Sequence, residues 1–373
     1  MEKAKISAIQ LFTLMFMFDL GSSLVVSYGV TAKKDAWLAI LLGMCGGIVL
    51  FFIYYFLFRQ YPNLPLTGYA RKIFGKYLGW IVGLLYTAYF LYNGSRNVRD
   101  FGDLLLTSTM PKTPLLAINI LFVLAICYVL YLGIEVLGRT AEVFIVILIL
   151  FGLTGNFLVL VSGGVDIHNL QPFLENGWKP ILTTAFPLLT VFPFGDMLVF
   201  TMLLPYLNRP ELVKKVWLSS VILSGLTLSY TISLNIAVLS VEEVERSTFP
   251  LLSTIGKVNL FEFIQRLDAI VVFTFLITMF FKTSIYLYSA VIGIVDLFKL
   301  KNHQQIVLPI GVIFLFLSMI IASDFAEHIE EGLVTIQYPI QLPFLIIIPL
   351  LMLIVTMIRN GFKKKGRSKS NVT

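Results

Sequence analysis

The sequence predicts an all-α integral membrane protein: ten transmembrane helices in a 5+5 inverted repeat, with the first and sixth helices broken. Three observations predict it. Of 373 residues, 58% are apolar and 13% charged, about half the charged share of a water-soluble chain. Most basic residues fall in alternate connections between apolar segments, and two of those segments carry polar interruptions at matching depth. At about 20 residues per span the length accommodates about ten crossings. The same arithmetic excludes a soluble enzyme.

Ten apolar segments follow one another at 6–30, 36–57, 77–107, 114–132, 141–161, 180–206, 216–240, 268–296, 305–323 and 341–358. Each is long enough to cross a hydrocarbon core of about 30 Å. The first is expected to stay in the mature protein, because it carries Asp19 and Gly21 and is followed by further spans rather than by a small-residue cleavage motif. Residues 1–373 then read as a single polytopic domain. Within it 1–161 form the first repeat, 180–358 the second, and 359–373 a basic cytoplasmic tail.

Charge sets the orientation. With the N-terminus inside, the cytoplasmic segments hold 18 of the 28 basic residues, while Arg96, Arg99 and Lys282 lie within spans. The positive-inside rule therefore places both termini in the cytoplasm, as an even number of spans requires. The tail cluster Arg359, Lys363, Lys364, Lys365, Arg367 and Lys369 directly follows a span, so it is expected to face anionic membrane lipid rather than nucleic acid. Cys45 and Cys127 sit in apolar runs, and His168, His303 and His328 are far apart. No disulfide framework, metal site or cofactor is expected from them. The outer connection 241–268 mixes acidic residues with Phe249, Leu251, Leu252, Ile255, Val258, Leu260, Phe261 and Ile264. Their spacing reads as an amphipathic helix on the outer face, either a plain interfacial helix or a lid.

Two spans break their own pattern. Asp19-Leu20-Gly21-Ser22-Ser23 interrupts the first, and Phe192-Pro193-Phe194-Gly195-Asp196 the sixth. Proline removes a backbone donor and clashes with the preceding turn, glycine frees the backbone, and a carboxylate is costly in hydrocarbon. Counted from Ile6 and Pro180, the breaks at Asp19 and Pro193 each begin 13 residues in, about 20 Å from the face where the span starts. The two spans start on opposite faces, which is the pattern of an inverted-repeat transporter with its site where the breaks meet. Freed amides suit an anion, and freed carbonyls and hydroxyls suit an ammonium or a cation. A zwitterionic amino acid satisfies both. Either break alone reads as a simple kink; the symmetric pair points to a site.

Span three places Arg96 and Asp100, and Arg99 and Asp103, four residues apart, so each is expected to pair on one helix face. The network is either structural or a ligand contact through Arg96. In span eight Lys282, beside Thr283 and Ser284, lies deep enough to need a partner or water; it serves as a fixed cation at the site or snorkels to the cytoplasmic surface. Gly43, Cys45, Gly46 and Gly47 in span two let another helix approach closely.

Four motifs in order carry a resemblance: Gly133-Ile134-Glu135-Val136-Leu137-Gly138-Arg139, Asn169-Leu170-Gln171-Pro172, the Phe192 to Asp196 break, and the stretch from Phe249-Pro250 to Arg266-Leu267-Asp268. Over nearly the whole chain they are similar to the B subunits of GerA-type spore germinant receptors, a branch of the amino acid–polyamine–organocation (APC) transporter superfamily. The resemblance implies the LeuT-like fold and a place in the spore inner membrane or bacterial cell membrane. It implies germinant receptor A and C subunits as partners, and a small-molecule germinant, an amino acid or sugar, whose binding triggers germination. It implies a sensor rather than an enzyme. On matching positions the ligand pocket takes in Gly21, Ser22 and Ser23 with Phe192, Pro193, Phe194 and Gly195. Asp19 and Asp196 would repel an anionic ligand unless protonated or facing its ammonium. Arg96, Lys282 and Thr283 complete the candidate ligand-binding set from the residue reading. A secondary amino-acid transporter, and a membrane scaffold for partner subunits, would use the same fold. No nucleophile elbow, phosphate loop or metal-ligand spacing points to catalysis.

Overall fold

A computed structural model describes residues 5–26, 28–258, 267–322, 327–328, 331 and 337–370. Among them the chain is helical, apart from turns and a single isolated bridge between Ile6 and Leu207. Helix α1 (Ala8–Leu20) opens on a capping box, in which Ser7 and Gln10 each bond the other's backbone N–H. It stops at Gly21 and the helix restarts as α2 (Ser23–Val26). Then follow α3 (Ala36–Gln60), α4 (Leu66–Phe74), α5 (Lys76–Ser108), α6 (Leu115–Leu132) and α7 (Ile134–Val161). Gly75 and Gly133, both with positive φ, make the sharp turns between α4 and α5 and between α6 and α7.

The second half begins with α8 (Trp178–Thr183), which runs into irregular helix over Thr184–Met202. Next come α9 (Val213–Leu239), the short α10 (Val241–Arg246) and α11 (Pro250–Gly256), then α12 (Asp268–Phe298) and α13 (Gln304–Ile320). Irregular turns over Gln337–Ile347 lead into α14 (Ile348–Ser370).

Among the described residues, eight helical stretches are long and apolar enough to cross a membrane: Ala8–Val26, Val30–Gln60, Leu115–Leu132, Ile134–Val161, Trp178–Met202, Pro210–Leu239, Asp268–Phe298 and Tyr338–Asn360. Of the two other expected spans, α5 is long but carries Arg96, Arg99, Asp100 and Asp103, and α13 is 17 residues. Burial separates the interior from the rim. The spans of α1, Trp178–Met202 and α12 have 83%, 78% and 78% of their residues inside the bundle, against 17% for α7. The two broken spans and α12 therefore form the centre, and α7 turns most of its surface outward.

Three glycines of α3 set the position of the broken sixth span. A Cβ on Gly43 would lie 2.5 Å from Leu189 Cβ and 3.0 Å from its main-chain carbon, and Cβ atoms on Gly46 and Gly47 would overlap Thr190 and Phe194. The partner of this small-residue face is the irregular stretch itself. Helix α4, which the apolar pattern does not separate, docks on α12 through Thr67 Oγ1 and Arg71, both 2.5 Å from the Asp296 carboxylate. The outer connection corrects the single amphipathic helix expected over 241–268. It holds two short helices, α10 and α11, because Ser247 turns extended and Pro250 starts a new helix. Residues 259–266, with Leu260, Phe261 and Ile264, lie outside the described residues, as do Arg266 and most of the connection 324–336.

Candidate ligand-binding site

Gly21 makes the first break. Its φ of +26° is one that side-chain-bearing residues avoid, and a Cβ would overlap Lys282 Cδ and sit 2.9 Å from Phe18 O. The Gly21 carbonyl accepts from Thr278 Oγ1 at 3.3 Å. Asp19 is fully buried but turns towards α9, where its Oδ2 accepts from Ser224 Oγ at 2.6 Å. Asp19 Oδ1 and Ser23 Oγ have no hydrogen-bond partner among the described residues. The carbonyl of Ser22 accepts from Val25 and Val26 and so starts the short α2.

The sixth span breaks twice rather than once. Phe186 and Phe192 both leave the helical region, with φ, ψ of −127°, 118° and −127°, 124°. Each precedes a proline, whose ring disfavours the helical conformation of the residue before it. Of the five candidate residues here, Phe192 and Asp196 reach a polar cavity, while buried Pro193, Phe194 and Gly195 do not. A Cβ on Gly195 would meet Thr190 O at 3.0 Å and Leu50 Cδ1 at 3.3 Å, which marks it as a packing position. Asp196 Oδ1 accepts from Tyr89 OH at 2.9 Å.

Lys282 of α12 lies between the breaks. Its Nζ is 4.2 Å from the ring centroid of Phe192 and 5.1 Å from that of Phe18, a cation–π arrangement. It is fully buried, which corrects the snorkelling alternative, and has no hydrogen-bond partner among the described residues. Asp196 and Asp19 act on it electrostatically. Thr283 is buried beside it, its Oγ1 also unpaired among the described residues, and does not line the cavity.

On α5 one of the two expected ion pairs forms. Arg99 Nε meets Asp103 Oδ2 at 2.7 Å, but Arg96 does not pair with Asp100. Arg96 reaches Glu331 Oε2 at 3.2 Å and His328 O at 2.5 Å instead, and Asp100 Oδ1 meets His328 Nε2 at 2.6 Å. Arg96 Nη1 also donates to Tyr92 OH at 3.3 Å while His328 occupies Asp100, so the guanidinium's donors are met away from the carboxylate on its own helix. Arg99 also holds Ala322 O at 3.1 Å, so α5 clasps the chain that follows α13.

These groups surround a cavity of about 40 Å³, lined by Ser22, Tyr28, Asn93, Arg96, Asn97, Asp100, Leu188, Phe192, Asp196, Tyr286 and Gln341. That is room for about three waters. Gly21, Asp19 and Lys282 stand behind the wall rather than on it. Sequence reading missed Asn93 and Asn97, although both lie three or four residues from Arg96 or Asp100 on the same helix face. It also missed Tyr28, Tyr89, Tyr286 and Gln341, which read as ordinary span or connection residues. A cation from α5 and a carboxylate from the sixth span on one lining, together with amides and hydroxyls, can hold a zwitterion or a polyhydroxylated molecule. Among the described residues no cluster of three or more His, Cys, Asp or Glu has the geometry to hold a metal ion.

Residues 5–326 match the spore permease family, described as spore germination protein. The chain is 42% identical to spore germination protein KB of Bacillus subtilis (strain 168) over 370 residues, 99% of this chain and 98% of the relative. It is 27% identical to spore germination protein YndE of the same organism over 73% of this chain and 74% of the relative. Spore germination protein A2, also of that organism, is 26% identical over 76% of this chain and 77% of the relative. Eight membrane-capable helices and these matches together make the chain a multi-pass membrane protein. The chain belongs to the spore germination protein family of spore permeases.

Proposed function

We propose that the protein is the nutrient-germinant-binding subunit of a spore germination receptor and holds an amino acid or sugar between its two broken spans, α5 and α12. The observation that supports this most is the convergence of Arg96 and Asp196, from different spans, on one cavity with Ser22, Asn93 and Asn97. An amino acid would set its carboxylate against Arg96 and its ammonium against Asp196, while the amides and hydroxyls suit a sugar. At about 40 Å³ the cavity is too small for either ligand until it widens. A ligand that binds only the widened form shifts the population towards it. Exchange of Glu331 and His328 for a ligand carboxylate at Arg96 would pass that change to the outer segment, and the A and C subunits would read it.

The same reading counts α5 and α13 with the eight apolar spans to complete a ten-helix, LeuT-like 5+5 repeat. It places the chain in the spore inner membrane with both termini in the cytoplasm.

Spores carrying this receptor as their only one, screened against single nutrients, test the proposal. Asp196→Asn, at unchanged subunit abundance and assembly, is expected to raise the germinant concentration for half-maximal response by about tenfold, the loss of one charge-assisted contact. An unchanged response in both Asp196→Asn and Ser22→Phe would reject the pocket and favour a scaffold. Gradient-driven uptake of the germinant into proteoliposomes containing the chain alone would favour a transporter instead.

A further inference from the structure

The bundle contains a second and larger cavity, of about 500 Å³, which shares no described lining residue with the polar one. Helix α1 contacts both α7 and α9 and forms the floor between them. None of the described lining residues is charged. Most of its polar donors are already engaged: Thr227 Oγ1 donates to Leu223 O at 2.8 Å, Thr231 Oγ1 to Thr227 O at 2.9 Å, Asn156 Nδ2 to Gly152 O at 2.7 Å and Thr254 Oγ1 to Asn235 Oδ1 at 2.8 Å, while Asn156 Oδ1 has no partner among the described residues. A polar ligand would find few donors here.

Shape and position say what would fit. Along α7 the lining runs from Ile145 to Val159, about 21 Å of helix axis against a hydrocarbon core of about 30 Å. Gly152 and Gly155 hollow that wall. A Cβ on Gly152 would meet nothing within 4 Å, and one on Gly155 would reach only Ile255 at 3.6 Å and Ile270 at 3.9 Å. The volume lies in the range of ligand sites. The cavity edge is formed by Ile149 and Leu153 of α7 and Leu223 and Tyr230 of α9, all exposed on the outer surface of the bundle. In a multi-pass membrane protein that surface meets lipid.

We propose that this cavity is an intramembrane binding site for the hydrocarbon chain of a bilayer phospholipid, admitted between α7 and α9. The chain lies on α1 and beneath α11. It packs against Leu20 and Leu24, the residues that flank the Gly21–Ser22 break, so its presence braces the first broken span. The proposal is independent of the germinant reading.

The test uses the full chain in phosphatidylglycerol–phosphatidylcholine nanodiscs containing a phospholipid with a photoactivatable diazirine in its acyl chain, without nutrient. Crosslinked peptides are expected to concentrate in 145–159 of α7 and the facing stretches of α1 and α9. Gly152→Trp and Gly155→Phe are expected to lower that labelling by about tenfold, because each fills the space of several methylenes. Val146→Phe, on the exposed face of α7 away from the cavity, should leave it unchanged. Where Gly155→Phe lowers the melting temperature, Gly152→Trp carries the comparison, since its position is open. Labelling spread evenly over all outward helices, or unaltered by Gly152→Trp, overturns the proposal.

Discussion

A buried ammonium is costly to keep, and at Lys282, which has no hydrogen bond among the described residues, two aromatic faces and the Asp196 and Asp19 carboxylates offset that cost. Removing one member of such a group leaves its partners uncompensated, which destabilises by about 3–5 kcal/mol. Lys282→Met, which preserves the aliphatic packing against Gly21, is therefore expected to destabilise the purified protein by about that amount in detergent. Lys282→Met combined with Asp196→Asn should recover more than half of the loss. Additive effects in denaturant unfolding would show that the two charges do not compensate each other. Polar residues inside spans were legible in the sequence because hydrocarbon makes them exceptional, but their partners were not. Helical spacing shows only what a helix offers itself: it places Arg99 with Asp103 correctly and misses that Arg96 reaches His328 and Glu331, more than 230 residues away.

Among elements, the decisive contact is the seating of the broken sixth span on the glycines of α3. The glycines signalled close approach in the sequence; what approaches depends on the rotation of two helices, which sequence does not carry. Gly43 faces the main chain of Leu189, and main chain cannot yield as a flexible side chain does. Gly43→Ala is expected to lower stability by about 1–3 kcal/mol through overpacking. Gly152→Ala, whose Cβ would point into open space, is expected to be neutral or to stabilise by up to about 1 kcal/mol through helix propensity. Thermal unfolding of the two variants in parallel separates packing from propensity, and equal losses would refute the close approach at α3. The break itself was half legible. Phe192-Pro193 lies among glycine and a carboxylate, whereas Phe186-Pro187 distorts the chain equally but has no glycine or charged residue beside it to mark the break.

At the scale of the molecule, hydropathy made the helical membrane architecture legible, since it records the thickness of the bilayer directly, while the distribution of Lys and Arg sets an expected sidedness. The cavities were not legible, because they are gaps left by several helices at once and no single segment encodes them. The proposed inverted pairing of the two breaks requires residue 168, ahead of the sixth span, to lie on the opposite side from residue 301, ahead of α13. Both positions are exposed. With Cys45 and Cys127 replaced by alanine, His168→Cys is expected to react with a membrane-impermeant maleimide on intact protoplasts several times more than Lys301→Cys. The order should reverse in inside-out vesicles. Reaction of both from the same side would break the opposition of the two halves, and reaction of Lys301→Cys alone from outside would invert the whole topology and place the 18 basic residues against the positive-inside rule.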